Sequence, residues 1–349
     1  MKKYLKKFVG IAAALALLCT GCSRQPTAYQ SMDTAMGTII SQTIYTSANE
    51  ETAGEILGEV ISCIDDLEAN NLSWRLETSE IYQINAGAGS GQEVEISDLL
   101  TNVFDQCKKV YAASDGAFDF TIGSVARLWN IDAWAGEVQG TTSYMVPSQE
   151  QLAETLVYVG ADKADVDGSM VSLPEGMQID LGAVGKGIAL DEIRNVLEQR
   201  AEVTGAVISV GGSILTYGRK PDGSAWNVGI VDPFDTSQNM GVLSLTGSWC
   251  VSTSGDYERY VEVDGIRYHH ILDPYTGMPA DSGVKSVTIL TESGLFSDAL
   301  STACFVLGVE DGLELAEMFD AEALFVDEQG EITMTEGMEQ YFYLSNAGK

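Results

Sequence analysis

Apolar positions in this chain keep two different periods, and the changes between them divide the sequence into elements. The stretch MGTIISQTIYT from Met36 reads as a strand, and Ile56, Val60, Ile64 and Leu67 then recur at the spacing of one helix face. Leu99, Val103, Cys107 and Val110 place a second helix in ISDLLTNVFDQCKKVYAAS, SQEQLAETLVYVG predicts a third, and Leu190, Ile193 and Leu197 a fourth. GAVISVGGSILTYG and AWNVGIV follow as strands. In YVEVDGIRYHHI the pair Asp264-Gly265 marks a two-residue hairpin turn, because a type I′ turn needs positive φ at both central positions. Alternation across that hairpin sets Arg259 opposite His270 and on the same face. SDALSTACFVLG predicts a last helix with Ser297 as its N-cap and Gly308 as its stop. No internal repeat or low-complexity tract interrupts the series.

The N-terminus follows another pattern. Lys2, Lys3, Lys6 and Lys7 precede the apolar run FVGIAAALALL and the small-residue end CTGC, the three parts of an export signal. LLCTGCS resembles a bacterial lipobox with Cys22 as the residue to be acylated, although Cys19 stands where leucine is usual. These features predict a signal peptide over 1–21, a lipidated Cys22 with a polar tether over 22–31, and a folded domain over 32–345. The expected location is the outer face of the cytoplasmic membrane, reached through a lipid anchor alone.

At 349 residues the chain is long enough for two domains or one elaborated one. Lysine and arginine number 19 against 51 acidic residues, a net −32; removing the four signal lysines leaves 15 against 51, or −36. Such a chain repels nucleic acid, whose binding rests on Lys and Arg contacts to phosphate. An anionic ligand has to be held by local devices: a metal ion, a helix N-terminus or a single lysine. Cys63, Cys107, Cys250 and Cys304 are scattered among apolar residues in a chain with core enough to need no staples, and read as buried thiols.

IDLGAVGKGIALDEI, residues 179–193, has the small residues, single lysine and following helix of a loop that holds an anion. It is not the phosphate loop of nucleotide hydrolases, since Leu181 stands where the first glycine belongs and Lys186 is followed by Gly187. The two histidines, His269 and His270, are adjacent on a predicted strand and so point to opposite faces, which argues against a zinc site and against a serine or cysteine triad. A lone histidine is as readily a hydrogen-bonded structural residue, but the turn-rich loop LDPYTGMP that follows favours function. The Arg259 cation disfavours imidazolium, so His270 is expected to be neutral at pH 7, and His269, on the other face, to be dispensable. Asp298 and Thr302, four apart on a helix, bring a carboxylate and a hydroxyl to one face, which suits a hard cation such as Mg²⁺, although Asp in a first turn with Thr later is more often plain capping. Lys186 would offset phosphate charge.

The ordered set MGT (Met36 to Thr38), GAFDFTIG (Gly116 to Gly123), DLGAVGKG (Asp180 to Gly187), SVGGSI (Ser209 to Ile214), STSGDYERY (Ser252 to Tyr260), HHILDPYTGMP (His269 to Pro279) and SDALSTA (Ser297 to Ala303) resembles the ApbE family of exported FAD:protein FMN transferases. The resemblance covers nearly all of the chain beyond the signal. It implies a mixed α/β (α+β) fold, with two interleaved subdomains around a largely antiparallel sheet and FAD in the cleft between them. It further implies that Met36, Trp74, Ala117, Phe118, Asp119, Asp180, Lys186 and the backbone at Ile271 line the FAD site, Trp74 standing where many members carry tyrosine. The carbonyl of Ala183 would join Asp298 and Thr302 around Mg²⁺. Ser124 stands where the family usually has a proline. The activity implied is Mg²⁺-dependent transfer of FMN from FAD to a Thr or Ser hydroxyl of an exported acceptor, such as the FMN-binding domain of a redox complex, with release of AMP. His270 is the expected general base. Hydrolysis of FAD to FMN and AMP in the same site, and a lipoprotein that binds flavin without catalysis, are the rival readings.

Overall fold

The computed structural model describes residues 25–134 and 144–345. The export signal and Cys22 read from the sequence lie outside the described residues. The first half of the chain gives β1 (Thr27–Ala35), β2 (Thr38–Thr46), α1 (Glu50–Leu67) running into a π-helical turn (Glu68–Leu72), α2 (Glu80–Ala86), β3 (Val94–Glu95) and α3 (Asp98–Ala113). Then come α4 (Gly123–Trp129), α5 (Ile131–Trp134), α6 (Gln149–Leu156), β4 (Asp165–Asp167), β5 (Met170–Ser172) and α7 (Gly185–Glu198). The second half gives β6 (Val203–Val210), β7 (Ser213–Gly218), β8 (Trp226–Asp232), β9 (Asp235–Leu245), β10 (Trp249–Gly255), β11 (Tyr260–Val263), β12 (Ile266–His269) and β13 (Val284–Thr291). It closes with α8 (Gly294–Leu307), α9 (Val309–Met318), β14 (Glu322–Asp327), β15 (Ile332–Met334) and β16 (Phe342–Leu344). Among the described residues no helix is long and apolar enough to cross a membrane.

An eight-stranded sheet in the order β1-β2-β6-β7-β10-β13-β14-β15 forms the centre, and its ladders are antiparallel. Successive strand residues point to opposite faces, so most of these strands feed two cores. Ile40 and Ile44 of β2, Ile208 of β6, Cys250 of β10 and Phe325 of β14 face the helices and pack with Ile56 and Val60 of α1, Phe104 of α3, Ile193 of α7 and Leu300 of α8. Val251, Leu290, Leu324 and Val326 face the other way, where β8, β9 and β16 form a second antiparallel sheet carrying Trp226, Val228, Leu243 and Phe342. The mixed, largely antiparallel architecture is the one the resemblance implied; the back sheet is a layer the sequence did not announce. A third cluster joins Val125, Trp129 and Leu152 to Val261 and Leu272 of the distant β11–β12 region, and so interleaves two stretches of chain in one lobe.

Two boundaries differ from expectation. β1 begins at Thr27, so residues 27–31 of the expected tether pair with β2, from Thr27 opposite Thr46 to Ser31 opposite Gln42. As an edge strand with little buried on either face, TAYQSMDTA carries no apolar alternation to read. α8 starts a turn earlier than expected: Ser293, not Ser297, is the N-cap, its Oγ accepting the Phe296 N–H at 3.2 Å. Gly294 at the first helical position reads as a break and hid the start. Gly308, at φ 88°, ends the helix as expected. The four cysteines within the domain are free thiols, and burial pushes Cys250 and Cys304 up to about 12, which leaves them unreactive.

Where α7 crosses α8 the two backbones touch. A Cβ on Gly187 would overlap the Gly294 carbonyl oxygen, and one on Gly294 would overlap that of Gly187. Gly187→Ala and Gly294→Ala are each expected to lower the unfolding free energy by about 1–3 kcal/mol through this overlap. Gly58→Ala, in α1 with nothing within 4 Å of the added Cβ, should instead raise it by about 0.4–1 kcal/mol. Urea denaturation reads both signs.

Candidate active site

The first turns of α7 and α8 meet at Gly187 and Gly294, and each helix takes a cap from the other. Asp298 Oδ2 accepts the Gly187 N–H at 2.6 Å, while Asp191 accepts those of Gly294 and Leu295 at 2.7 and 2.9 Å. Val184, at the N-cap position of α7, has no side-chain acceptor to offer, so Asp298 supplies it from across the contact. The second Asp298 oxygen accepts the Ser213 hydroxyl at 2.7 Å. Hydroxyl pairs fasten α8 to β10, Ser297 with Ser252 at 2.7 Å and Ser301 with Ser254 at 2.8 Å. Asp298, 4% exposed, is therefore fixed in place, and Thr302 follows one turn later on the same face.

The loop before α7 is built around the same cap. In an uninterrupted helix the Gly187 amide would bond the Ala183 carbonyl; here it goes to Asp298, and no described hydrogen bond ends on the Ala183 oxygen. Asp180 closes a tight turn by accepting the Gly182 N–H at 2.7 Å, and its own amide is tied to the Phe120 carbonyl at 2.9 Å. Asp119 accepts the Thr121 amide and hydroxyl at 2.7 and 2.6 Å and the Ala161 amide at 3.2 Å. Burial raises its pKa and these bonds oppose the rise. The Ser124 hydroxyl donates to the Gly176 carbonyl at 2.7 Å and ties down the turn before α4.

The hairpin turn is as expected, with Asp264 at φ 53° and Gly265 at φ 78°, and the ladder pairs Tyr260 with His269. One step beyond, the Arg259 carbonyl lies 3.1 Å from both the backbone N and the Nδ1 of His270. A carbonyl only accepts, so Nδ1 carries the proton and Nε2 keeps a free lone pair. Burial, and then the Arg259 guanidinium, push the His270 pKa down to about 3. His269 behaves differently. It is buried, its Nε2 donates to the Ala280 carbonyl at 3.1 Å, and its Nδ1 accepts the Ile271 amide at 3.3 Å. Strand alternation gave the face of His269, and that face is the buried base of the 271–280 loop, so the residue has a structural place there.

These elements wall one cleft, open to solvent at its mouth. Trp74, Ala117, Phe118, Asp119, Asp180, Ala183, Lys186, His270, Ile271, Asp298 and Thr302 all line it. Met36 does not. At φ 49° in the tip between β1 and β2, its amide donates to Glu68 at 3.0 Å and its side chain packs towards Gly185. Residues 36–325 match the model of the ApbE family. The chain belongs to the ApbE family. A Treponema pallidum relative named FAD:protein FMN transferase is 34% identical over 315 residues, covering 85% of this chain and 84% of the relative. An ApbE protein of Thermotoga maritima superposes with a TM-score of 0.78 at 33% identity, over 90% of this chain and 99% of that one. The apo form of the Pseudomonas stutzeri flavinyl transferase ApbE gives 0.76 at 30%, over 93% and 99%.

Several residues of this ApbE-family cleft went unremarked in the sequence. Ser254, Ser301, Glu258, Arg75 and Arg127 also line it, and Ser213 stands behind Asp298. Glu258 and Lys186 converge on Gly212, where an added Cβ would lie 3.2 Å from Oε1 and 4.0 Å from Nζ. One signal was legible: Gly187 precedes Asp191, and Gly294 precedes Asp298, by the same four residues. His269→Ala is expected to cost about 2–4 kcal/mol, because it opens a cavity and strands two buried backbone groups. His270→Ala, which loses one half-exposed hydrogen bond, should cost about 1 kcal/mol. Denaturant unfolding of the two variants measures the difference.

Proposed function

We propose that this chain is an FAD:protein FMN transferase that uses Mg²⁺, modifies a Thr or Ser hydroxyl of an exported acceptor such as the FMN-binding domain of a redox complex, and releases AMP. The observation that carries the reading is the convergence, on one cleft, of His270, Lys186 and the group Ala183, Asp298 and Thr302. The names of relatives at this level of identity support the transferase class. Anchoring at Cys22 on the outer face of the cytoplasmic membrane is part of the same proposal and follows from the N-terminal sequence.

The residues suit a hard cation. Each Asp298 oxygen has one protein donor and keeps a lone pair, the Ala183 carbonyl lacks the donor a helix would give it, and Thr302 adds a hydroxyl. Among the described residues no cluster of three or more His, Cys, Asp or Glu side chains competes for such an ion. Bound there, Mg²⁺ would neutralise charge on the diphosphate. In the reaction the acceptor hydroxyl oxygen bonds to the FMN-side phosphorus, and the bond from that phosphorus to the bridging oxygen breaks. AMP leaves with that oxygen and its electron pair, and the hydroxyl proton passes to His270 Nε2. Arg259 serves twice, its carbonyl fixing the tautomer and its charge keeping the ring neutral until the proton arrives. Lys186 offsets phosphate charge as a point cation.

Incubating the full chain with FAD and Mg²⁺, with and without an acceptor domain, tests the reading. Transfer yields acceptor-bound flavin fluorescence with equal AMP; free FMN and AMP in both tubes would mean hydrolysis, and no AMP at all would mean a binding protein. His270→Ala is expected to bind FAD almost unchanged and to lose at least a factor of about 100 in transfer. Because its folded pKa lies near 3, His270 is already deprotonated well below the ordinary histidine range, so kcat/KM should show no inflection near pH 6.5 and should fall only in strong acid. Asp298→Asn keeps an acceptor for the Gly187 amide but loses the charge. It should fold and need about 10–100 times more Mg²⁺ for the same rate, read by Mg²⁺ titration.

A further inference from the structure

His270 follows directly on a hairpin that belongs to no larger sheet. β11 and β12 pair only with each other, and a two-stranded hairpin is marginal by itself, so the place of His270 depends on what holds the hairpin down. Alternation gives the hairpin two faces. Val261 and Tyr268, opposite each other, turn into the cluster around Trp129, with the Tyr268 and Trp129 ring centroids 5.5 Å apart. Tyr260, His269 and Arg267 share the other face, and there the contact is with a charge. The Arg267 guanidinium carbon lies 4.1 Å from the Tyr260 ring centroid, and the Arg267 Nη1 lies 3.8 Å from Asp256 Oδ1. Lys285 of β13 reaches the other Asp256 oxygen at 2.5 Å, and the Asp256 amide donates to the Lys285 carbonyl at 3.4 Å. The Asp256 side chain is 13% exposed, and its Oδ1 accepts no hydrogen bond from a described residue. A carboxylate so poorly satisfied lowers stability, so its presence between main sheet and hairpin calls for another reason.

We propose that Asp256 is a positioning residue for His270, holding the hairpin against the end of the main sheet so that the Arg259 carbonyl, and with it the His270 ring, stands in one place; the proposal rests on His270 being the base of the transfer. Asp256 follows the last residue of β10 and is bonded to β13, so it moves with the main sheet. Arg267 moves with the hairpin. Attraction between the two fixes the angle of hairpin to sheet. Arg259 directly precedes β11, and its carbonyl accepts both the amide and the Nδ1 proton of His270, so a hairpin that swings carries the imidazole with it. The charge of Asp256 is not what reaches the ring, since the main influences on His270 are its burial, Arg259, His269 and Lys186. Asp256 acts on where Nε2 stands, and a misplacement of about 1 Å in a reacting group can cost a factor of about 100.

A double-mutant cycle on the full chain, with FAD, Mg²⁺ and an acceptor domain, tests the assignment, because a residue that acts through His270 has nothing left to act on once the imidazole is gone. Asp256→Asn keeps the shape and loses the charge. It is expected to lower kcat about tenfold with KM for FAD within about twofold of the parent. Added to His270→Ala, the same change should lower the residual transfer, read as acceptor fluorescence over long incubations, by less than about twofold. Asp256→Glu, which restores the charge on a longer arm, should fall between parent and Asp256→Asn. Arg267→Gln loosens the hairpin side alone at a side chain 38% exposed, and so tests the same link if Asp256→Asn folds poorly; it should give the same pattern with about a threefold loss. An equal loss with and without His270, a rise in KM at unchanged kcat, or no loss in either variant would overturn the proposal. If His270→Ala alone transfers at the parental rate, the reading of His270 as the base fails, and the role given to Asp256 falls with it.

Discussion

Where α7 and α8 cross, two helix N-termini are brought into backbone contact at Gly187 and Gly294, and this is an arrangement that has to be paid for electrostatically. Each N-terminus carries about half a positive charge and several unpaired N–H groups. Left alone, the two ends would repel. Asp191 and Asp298 remove the conflict by each entering the other helix's first turn. The exchange is symmetrical in sequence spacing and unsymmetrical in placement, because Asp298 also faces the cleft and Asp191 does not. The carboxylate that holds the helix pair together is thus the one offered to a cation, and the position of that offer is set to within the tolerance of a backbone contact.

The cleft also keeps its own charge balance. The chain as a whole is strongly acidic, yet the walls set Arg75, Arg127, Lys186 and Arg259 against Asp119, Asp180, Glu258 and Asp298. Attachment of α8 to the sheet adds nothing to that count, since Ser252, Ser254, Ser297 and Ser301 pair as neutral hydroxyls. Neutral fasteners let the helix be buried without a desolvated ion pair, which often costs more than it returns. They also leave the field in the cleft to the few charges that face a ligand.

What could be read in advance follows from the range of the forces involved. Helix faces, the Asp264-Gly265 turn and the pairing of Arg259 with His270 are local, and periodicity or turn chemistry displays them. The back sheet is not local: β8 and β9 alternate visibly, but nothing in them says which face of which sheet they cover. His269 shows the same limit at one residue. Alternation gave its side, and only the fold shows the Ala280 and Ile271 groups waiting there. Arg127 drew no notice in the sequence, and only the fold brings its guanidinium to 4.7 Å from the Trp74 ring centroid. Ser293 was hidden because a glycine at the first helical position looks like an ending. Most of the residues named by resemblance do share the cleft, since ordered motifs carry three-dimensional information that periodicity lacks; Met36 packs towards Gly185, next to Lys186.

The strand order has a kinetic side. β2 is completed by β6, with Ile40 opposite Val210, and the helices and loops of nearly half the chain come between them. β9 likewise waits for β16, the last strand described. Closing such long loops costs entropy before any contact repays it, so the sheet forms slowly compared with a helical domain of similar size. In that interval the β1–β2 hairpin presents an open edge along β2, a template for pairing with other chains as readily as with its own. Until β6 arrives, the fold therefore depends on whatever keeps that edge from other chains.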